Sequence, residues 1–198
     1  MKFLFDLDGT ITAEETLPII ARIGNCESQI RELTEQTVQG QVPFIESFIR
    51  RVYILRNIPV SSIYRRLQDV NLHKRIVSFI QDNKDQCAIA TGNFSCWCDG
   101  LVKKIGCELY CSTAEVEEDT VVKINSILHK ERVVLEYKSK GETVVFIGDG
   151  DNDAEAMRQA DISIAVGLTR PPAPSLYSVC DYMVFSEDAL CQLLNQLL

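Results

Sequence analysis

The residues best suited to chemistry lie at the start of the chain, where the apolar run Phe3–Phe5 is followed by Asp6, Asp8 and Gly9. A short apolar run closed by turn residues predicts a buried β-strand. Residues two apart on a strand share a face, so both carboxylates can face one ligand. Two close carboxylates repel each other unless a cation or a shared proton separates them. The alternative is a strand that merely ends in a polar turn, since Asp and Gly are common in turns.

Two later stretches place polar residues after predicted strands in the same way. Thr91 and Gly92 follow the apolar run Cys87–Ala90, and the acidic segment Gly148–Asp153 follows the apolar run Thr143–Ile147. A parallel sheet gathers the carboxyl ends of its strands at one edge, so these residues are expected to meet Asp6 and Asp8 there.

The residue types at this edge favour a hard cation and a phosphoryl group. Mg²⁺ binds carboxylate oxygens together with water and substrate phosphate. Backbone N–H groups near Gly9 and Gly92 can surround phosphate oxygens, and Lys130 lies on a helix predicted just before the acidic segment. Lys123 competes with Lys130 for this position.

The periodicity predicts how the remaining elements position these residues. Amphipathic helices are predicted over 14–23, 28–39, 44–56, 60–69 and 73–83, with no strand signal between them. We interpret residues 13–70 as a small helical cap domain inserted after the first strand, and residues 1–12 and 71–198 as the core domain. Glu14 and Glu15 are expected in the first turn of the first helix, where the helix dipole favours acids.

The core segment alternates strands and helices, which predicts an α/β fold: a three-layer, doubly wound parallel sheet. The predicted order is strand 87–90, helix 95–105, strand 109–111, a loop or short hairpin over 113–122, helix 124–138, strand 143–147, a helix to 159, strand 162–166, strand 182–185 and helix 187–197.

Composition limits the classes of partner. The 198 residues carry a formal net charge of −8, which argues against nucleic acid, whose binding depends on Lys and Arg. No apolar stretch is long enough to span a bilayer, and a first strand that begins at Lys2 leaves no room for a signal peptide. We therefore expect a cytoplasmic monomer or homodimer. The eight cysteines are interpreted as core thiols rather than a zinc site, because Cys96 and Cys98 are spaced too tightly.

These motifs resemble those of the haloacid dehalogenase superfamily of phosphotransferases, over the whole chain. The segment Asp6–Thr10 matches the D-x-D-G-T motif, Thr91 with Gly92 matches the hydroxyl motif, Lys130 the basic motif and Gly148–Asp153 the G-D-G-x-N-D motif. The helical insert is similar to the cap of the phosphoserine phosphatase branch. Within it, the family-like spacing includes Glu15, Gly40, Phe44 and Arg51.

The resemblance implies a Mg²⁺-dependent phosphomonoesterase that acts through an aspartyl phosphate. Asp6 would be the nucleophile, an assignment that the residues alone leave open, and Asp8 the general acid and base. Thr91 and Lys130 would bind the transferring oxygens. The implied metal ligands are Asp6, Asp8 (through its carbonyl), Asp149 and Asp153, and the implied substrate-binding residues are Glu15, Phe44, Arg51, Gly92, Asn93 and Asn152.

The implied substrate is a small phosphorylated metabolite. Arg51 and Glu15 would pair with the carboxylate and ammonium of a zwitterion such as O-phosphoserine, although by type alone they are a solvated charge and a helix-dipole acid. Asn93 stands where this branch usually has a second Gly, which leaves other small phosphate esters open. A different class is also open: a non-hydrolytic phospho-acceptor module resembling a signalling receiver, whose aspartyl phosphate would persist. Asp8 and the insert argue against it.

Overall fold

The computed structural model describes residues 1–38 and 41–198, with side chains at all of these positions except 37, 38 and 44. Its strands are β1 Lys2–Phe5, β2 Cys87–Phe94, β3 Glu108–Glu117, β4 Thr120–Ser126, β5 Val144–Gly148, β6 Ile162–Val166 and β7 Tyr182–Val184. They form a single sheet in the order β4-β3-β2-β1-β5-β6-β7. Only β4 runs antiparallel to its neighbour.

The helices in the described ranges are α1 Thr16–Ile23, α2 Glu27–Val38, α3 Phe44–Leu55, α4 Val60–Leu67, α5 Lys74–Asp82, α6 Ser95–Ile105, α7 Lys130–Ser139, α8 Ala154–Gln159 and α9 Glu187–Leu197. Short 3₁₀ helices cover Asp151–Asp153 and Pro174–Ser178. Within these ranges, none of the helices combines the length and the apolar character that a bilayer crossing requires.

The central strand β1 brings the polar residues together. It pairs in parallel with β2, where Phe3 is opposite Cys87, and with β5, where Lys2 is opposite Val144. All four of its residues are buried. Asp6, Thr91 and Asp149 therefore emerge on three adjacent strands at the same edge of the sheet.

Alternation along β1 builds a hydrophobic layer on each face of the sheet. Phe3 and Phe5 pack with side chains of α5, α6 and α9 on one face, while Leu4 packs with side chains of α7 and α8 on the other. Successive residues of a strand point to opposite faces, which explains this division. The predicted α/β class with a sheet covered on both sides is confirmed.

Helices α1 to α4 form the insert after β1, and their hydrophobic cluster continues into Phe94, Trp97 and Val121 of the remainder of the chain. The two connecting segments pair with each other, since Ala13 N donates to Asn71 O at 2.8 Å. The tip of the β3–β4 hairpin also contacts the insert, where Ser61 N donates to an Asp119 carboxylate oxygen at 2.9 Å. The division into residues 1–12 with 71–198 and residues 13–70 stays a prediction.

The structure corrects four predicted elements. Of the two alternatives for 113–122, the structure shows the hairpin, longer than predicted, with Glu118 and Asp119 at the positive φ that a tight turn requires. The helix predicted over 124–138 begins only at Lys130, since β4 extends to Ser126 and three residues outside both elements follow it. Strand β2 continues past 90 to Phe94. Helix α1 begins at Thr16, so Glu14 and Glu15 precede it and are not first-turn acids.

The cysteines are free thiols, with Cys26, Cys87 and Cys98 buried and the other five half-buried. Gly40 lies outside the described residues, and so does the side chain of Phe44.

Candidate active site

Asp6 and Asp8 are held in a loop that turns back beside Asp149. The Asp6 N–H still donates to Ile147 O at 2.8 Å, so its backbone continues the pairing of β1 with β5. Gly9 then reverses the chain with a φ of +70°, and a Cβ built on it would lie 2.5 Å from Asp149 Oδ2. Glycine is needed here because it tolerates this φ and leaves room for the carboxylate.

Lys130 occupies the centre of the acidic group. Its Nζ lies 2.5 Å from Asp6 Oδ1 and 2.6 Å from Asp153 Oδ1, and its side chain is only 3% exposed. It is the first residue of α7, which packs next to β5 and the acidic loop. Lys123 lies exposed on β4 instead. The geometry therefore selects Lys130 over Lys123 as the lysine at the carboxylates.

The loop after β5 is held by the Asp153 carboxylate. Its Oδ2 accepts hydrogen bonds from the N–H groups of Asp149 at 3.1 Å and of Gly150 at 2.9 Å. Each of Asp6, Asp149 and Asp153 offers an oxygen, and these oxygens lie within 4.8 Å of one another. All three residues are buried. An all-oxygen, buried, acidic donor set fits a hard divalent cation.

The Asp8 carboxylate lies outside that group of oxygens and accepts hydrogen bonds from one residue of the insert and one residue of β2. Its Oδ1 accepts from Thr16 N at 2.8 Å, and its Oδ2 accepts from Asn93 Nδ2 at 2.7 Å. The Asn93 amide also lies 3.0 Å from Thr16 Oγ1. Asp8 is thus fixed at the junction of the loop after β1, β2 and the start of α1.

Burial raises the pKa values of the carboxyls at this edge. Desolvation raises the pKa of Asp6 well above its usual value, Lys130 opposes the rise, and Asp153 and Asp149 add to it. Burial and the neighbouring Asp153 raise the pKa of Asp149 to about 6. The pKa of Asp8 is also raised by burial. Burial disfavours the charged lysine, but Asp153 and Asp6 outweigh it and raise the pKa of Lys130. The acids exceed the available positive charge, and a bound cation would relieve this excess.

These residues surround a small cavity of about 110 Å³ between the sheet edge and the insert. Its lining residues are Asp6, Asp8, Glu15, Leu17, Phe48, Arg51, Gly92, Asn93, Asp149, Asn152 and Arg170. The predicted Glu15, Arg51, Gly92, Asn93 and Asn152 therefore face one space. The predicted Thr91, Lys130 and Asp153 are buried next to it rather than among its lining. Thr91 Oγ1 accepts from Asn93 N at 3.2 Å.

Sequence reasoning missed Arg170, which follows β6 at the same edge of the sheet. Its Nε lies 3.1 Å from Glu15 Oε1 and 3.1 Å from Asp149 Oδ2. The rule that located Asp149 after β5 applies equally to the loop after β6, and that was the available signal. Phe48, also missed, lies one helical turn after Phe44 on α3.

Glu15 is perturbed by these surroundings. Burial, reinforced by Asp8 and opposed by Arg170, raises its pKa to about 7. A larger groove of about 360 Å³ begins at Glu15, Arg51 and Arg170 and continues along Pro171–Pro174 to Tyr177. The small cavity is therefore reached from the side of these three charged residues.

Comparison with known sequences identifies relatives along most of the chain. A family model described as haloacid dehalogenase-like hydrolase matches residues 3–161. The phosphoserine phosphatase of Archaeoglobus fulgidus is 27% identical over 82% of this chain and 51% of its own length. That of Saccharomyces cerevisiae is 27% identical over 82% of this chain and 58% of its length. The chain thus spans little more than half the length of these two relatives.

Solved structures share the fold at low identity. A substrate-bound phosphoserine phosphatase complex superposes with a TM-score of 0.83 at 21% identity, covering 99% of this chain and 98% of that one. A phospho-aspartyl intermediate analogue of phosphoserine phosphatase gives a TM-score of 0.77 at 21% identity, covering 92% and 91%. A hydrolase of the same family from Salmonella enterica serovar Typhi gives 0.80 at 21% identity, covering 91% and 65%.

Lys130→Met should destabilise the metal-free protein by about 3–5 kcal/mol, because it leaves Asp6 and Asp153 buried without a counter-charge. Lys138→Met is the matched control, since Lys138 lies on the same helix in a half-exposed ion pair with Asp161 at 2.8 Å. It should cost about 0–1 kcal/mol. Urea unfolding in EDTA measures both.

The decrease in the free energy of unfolding caused by Lys130→Met should also be smaller at pH 5 than at pH 8. Lys130 lowers the pKa of Asp6, so without it the buried acid takes up a proton more readily in the folded state. A folded-state pKa raised above the unfolded value gives stability that is lost as the pH rises. Similar losses for the two lysine variants would contradict this role of Lys130.

Proposed function

The chain belongs to the haloacid dehalogenase-like hydrolase family, and we propose that it is a Mg²⁺-dependent phosphomonoesterase of a small phosphorylated metabolite. The observation that carries the proposal is the buried contact of Lys130 with Asp6 and Asp153 beside Asp149, at the wall of a small polar cavity. The names of the relatives support the same reaction class.

Asp6 is the proposed nucleophile. One of its carboxylate oxygens would attack phosphorus, forming an aspartyl phosphate as the bond from phosphorus to the ester oxygen breaks. Both oxygens of Asp8 already accept hydrogen bonds, from Thr16 N and Asn93 Nδ2, whereas Asp6 lies beside Lys130. This difference in partners favours Asp6 for attack, an assignment that the sequence pattern alone left open.

Asp8 is the proposed general acid and base. It would give its proton to the leaving alkoxide and then take a proton from the water that hydrolyses the aspartyl phosphate, which returns Asp6 to its carboxylate. Burial raises the pKa of Asp8, which increases its protonated fraction relative to a free carboxyl and so favours proton donation in the first step. Thr16 and Asn93 fix the orientation of this carboxyl for both steps.

Asp6, Asp149 and Asp153 would hold Mg²⁺, together with the backbone carbonyl of Asp8. The ion supplies positive charge that offsets the charge on the transferring phosphoryl oxygens. Lys130 would orient Asp6 and contribute further positive charge, and the hydroxyl of Thr91 and the N–H groups near Gly92 would bind phosphoryl oxygens.

The candidate substrate is a small phosphomonoester that carries a carboxylate, and O-phosphoserine is the one that the family resemblance implies. A cavity of about 110 Å³ is well below the roughly 300–1,000 Å³ of sites for drug-sized ligands, so the alcohol portion of the ester is small. Arg51 presents a guanidinium that can bind a carboxylate in a bidentate manner, and Glu15 presents a carboxylate. Asn152 and Asn93 add neutral polar groups to the wall. Phe44 stays a predicted substrate contact from the family resemblance.

Asp6→Asn should abolish the release of phosphate from an aryl phosphate, because the amide is a far weaker nucleophile than a carboxylate. Asp82→Asn, at an exposed position on α5, is the control and should keep the wild-type rate. Sustained phosphate release under excess substrate also separates an esterase from a phospho-acceptor module. Near-normal turnover by Asp6→Asn would exclude this nucleophile.

Removal of divalent cations by EDTA should abolish turnover, and Mg²⁺ should restore it better than Ca²⁺. Ca²⁺ takes more oxygen ligands in looser geometry, which misaligns the ester for attack. Phosphate release measured across a titration of each ion tests this. Full activity in the chelator, or equal rates with both ions, would contradict the metal assigned to Asp149.

Arg51→Ala should lower kcat/KM for O-phosphoserine by about two orders of magnitude, the equivalent of roughly 3 kcal/mol, because it removes the partner of the substrate carboxylate. Activity toward a neutral aryl phosphate should change little. Arg50→Ala is the matched control, since Arg50 is exposed and pairs with Glu46 on the same helix. Equal effects of Arg51→Ala on the two esters would exclude carboxylate recognition by Arg51.

A further inference from the structure

Arg170 joins the insert to the metal-binding edge of the sheet. The loop after β6 carries it to a point where its Nε lies 3.1 Å from Glu15 Oε1 and 3.1 Å from Asp149 Oδ2. Arg170 also lines both the small cavity and the larger groove that leads to it. An ester that enters the cavity therefore passes this guanidinium.

The position of Arg170 changes what Glu15 can bind. The Arg170 guanidinium lies at ion-pair distance from Glu15 Oε1 without donating a hydrogen bond to it, so an ammonium bound by Glu15 would share this carboxylate with another cation. An ammonium brought to the same carboxylate would lie within a few ångströms of this second cation. Like charges at such separations repel, and the repulsion is strongest where water is excluded.

The same arrangement favours an acidic group. Both close contacts of Arg170 within the described residues are made by Nε, while a guanidinium carries four further N–H donors on its two terminal nitrogens. Those donors form a planar fork that matches a carboxylate. Arg51, Arg170 and Glu15 line the groove as well as the cavity, so two of these three charged residues on the entrance side are positive, while the acids Asp6, Asp8 and Asp149 line the cavity at the sheet edge.

We propose that Arg170 is a specificity-determining residue that makes the site prefer phosphomonoesters of hydroxy acids, in which the alcohol carries a carboxylate and no neighbouring ammonium. The inference rests on the proposed phosphomonoesterase function and refines its substrate class. Arg51 binds the carboxylate in either kind of ester, and Arg170 sets the penalty for the ammonium.

The test compares O-phosphoserine with its deamino analogue, 3-(phosphonooxy)propanoate, which differs only in lacking the ammonium. The wild-type protein with Mg²⁺ should hydrolyse the analogue with a kcat/KM at least equal to that for O-phosphoserine. Arg170→Gln should change the ratio of the two kcat/KM values by about tenfold or more in favour of O-phosphoserine, the equivalent of roughly 1.4 kcal/mol. Arg170→Lys, which keeps the charge, should retain the wild-type preference.

The ratio cancels any general damage to the metal site through Asp149, because both esters need the same chemistry. Arg158→Gln is the matched control, since Arg158 is half-exposed, pairs with Glu155 and does not line the cavity or the groove. It should leave the ratio unchanged. The proposal is overturned if the ratio of the two kcat/KM values in Arg170→Gln stays within about twofold of the wild-type ratio, or moves toward the analogue. Hydrolysis of an aryl phosphate by the same protein would still support the proposed function.

Binding provides a readout that does not require turnover. Calorimetry with Asp6→Asn and with the double variant Asp6→Asn, Arg170→Gln measures the dissociation constants of the two esters in Mg²⁺ buffer. The Arg170 change should tighten O-phosphoserine relative to the analogue. The assignment of Arg170 is overturned if the relative affinity of the two esters does not change, or if neither ester binds. Failure of the wild-type protein to hydrolyse any phosphomonoester would instead contradict the proposed function.

Discussion

The burial of several carboxylates at one sheet edge is the constraint on which the rest of the structure depends. Asp6 and Asp153 are removed from water, and the Nζ of Lys130 compensates both at about 2.5 Å. Buried charges that lack such a partner cost several kcal/mol. The folded protein must therefore keep the register of β1 with β5 and the position of α7, because a shift of any of these elements would separate Lys130 from Asp6 and Asp153.

The insert is coupled to this edge through polar contacts rather than through shape alone. Thr16 N at the start of α1 donates to Asp8, and Glu15 just before it contacts Arg170. A displacement of α1 would thus change the orientation of Asp8, the proposed general acid, and the charge at the entrance together. Hydrogen bonds from Ser61 at the start of α4 to Asp119 on the β3–β4 hairpin limit such displacements from the other side.

Sequence patterns predicted the elements whose signals are local. The apolar runs of β1 and β5, with acids directly after them, determined both the sheet and the meeting of Asp6 with Asp149. A short hairpin over 113–122 was one of two alternatives, but its full length and the start of α7 were missed, because Glu118 is not a typical residue for a positive φ. Arg170 was missed for a different reason: its place after β6 was readable, but its contacts with Glu15 and Asp149 join residues that are distant in sequence.

The two acids of the first loop share one environment, although they are proposed to have two different roles. Burial raises the pKa of both Asp6 and Asp8, so burial alone does not separate a nucleophile from a proton donor. Their partners do. Lys130 and the site proposed for Mg²⁺ favour the ionised form of Asp6, while Asp8 accepts bonds from a neutral amide and a backbone N–H and lies outside the group of oxygens suited to a metal. A cation at Asp6 and Asp149 would therefore widen the difference between the two carboxyls, which is the condition that acid–base chemistry at neutral pH requires.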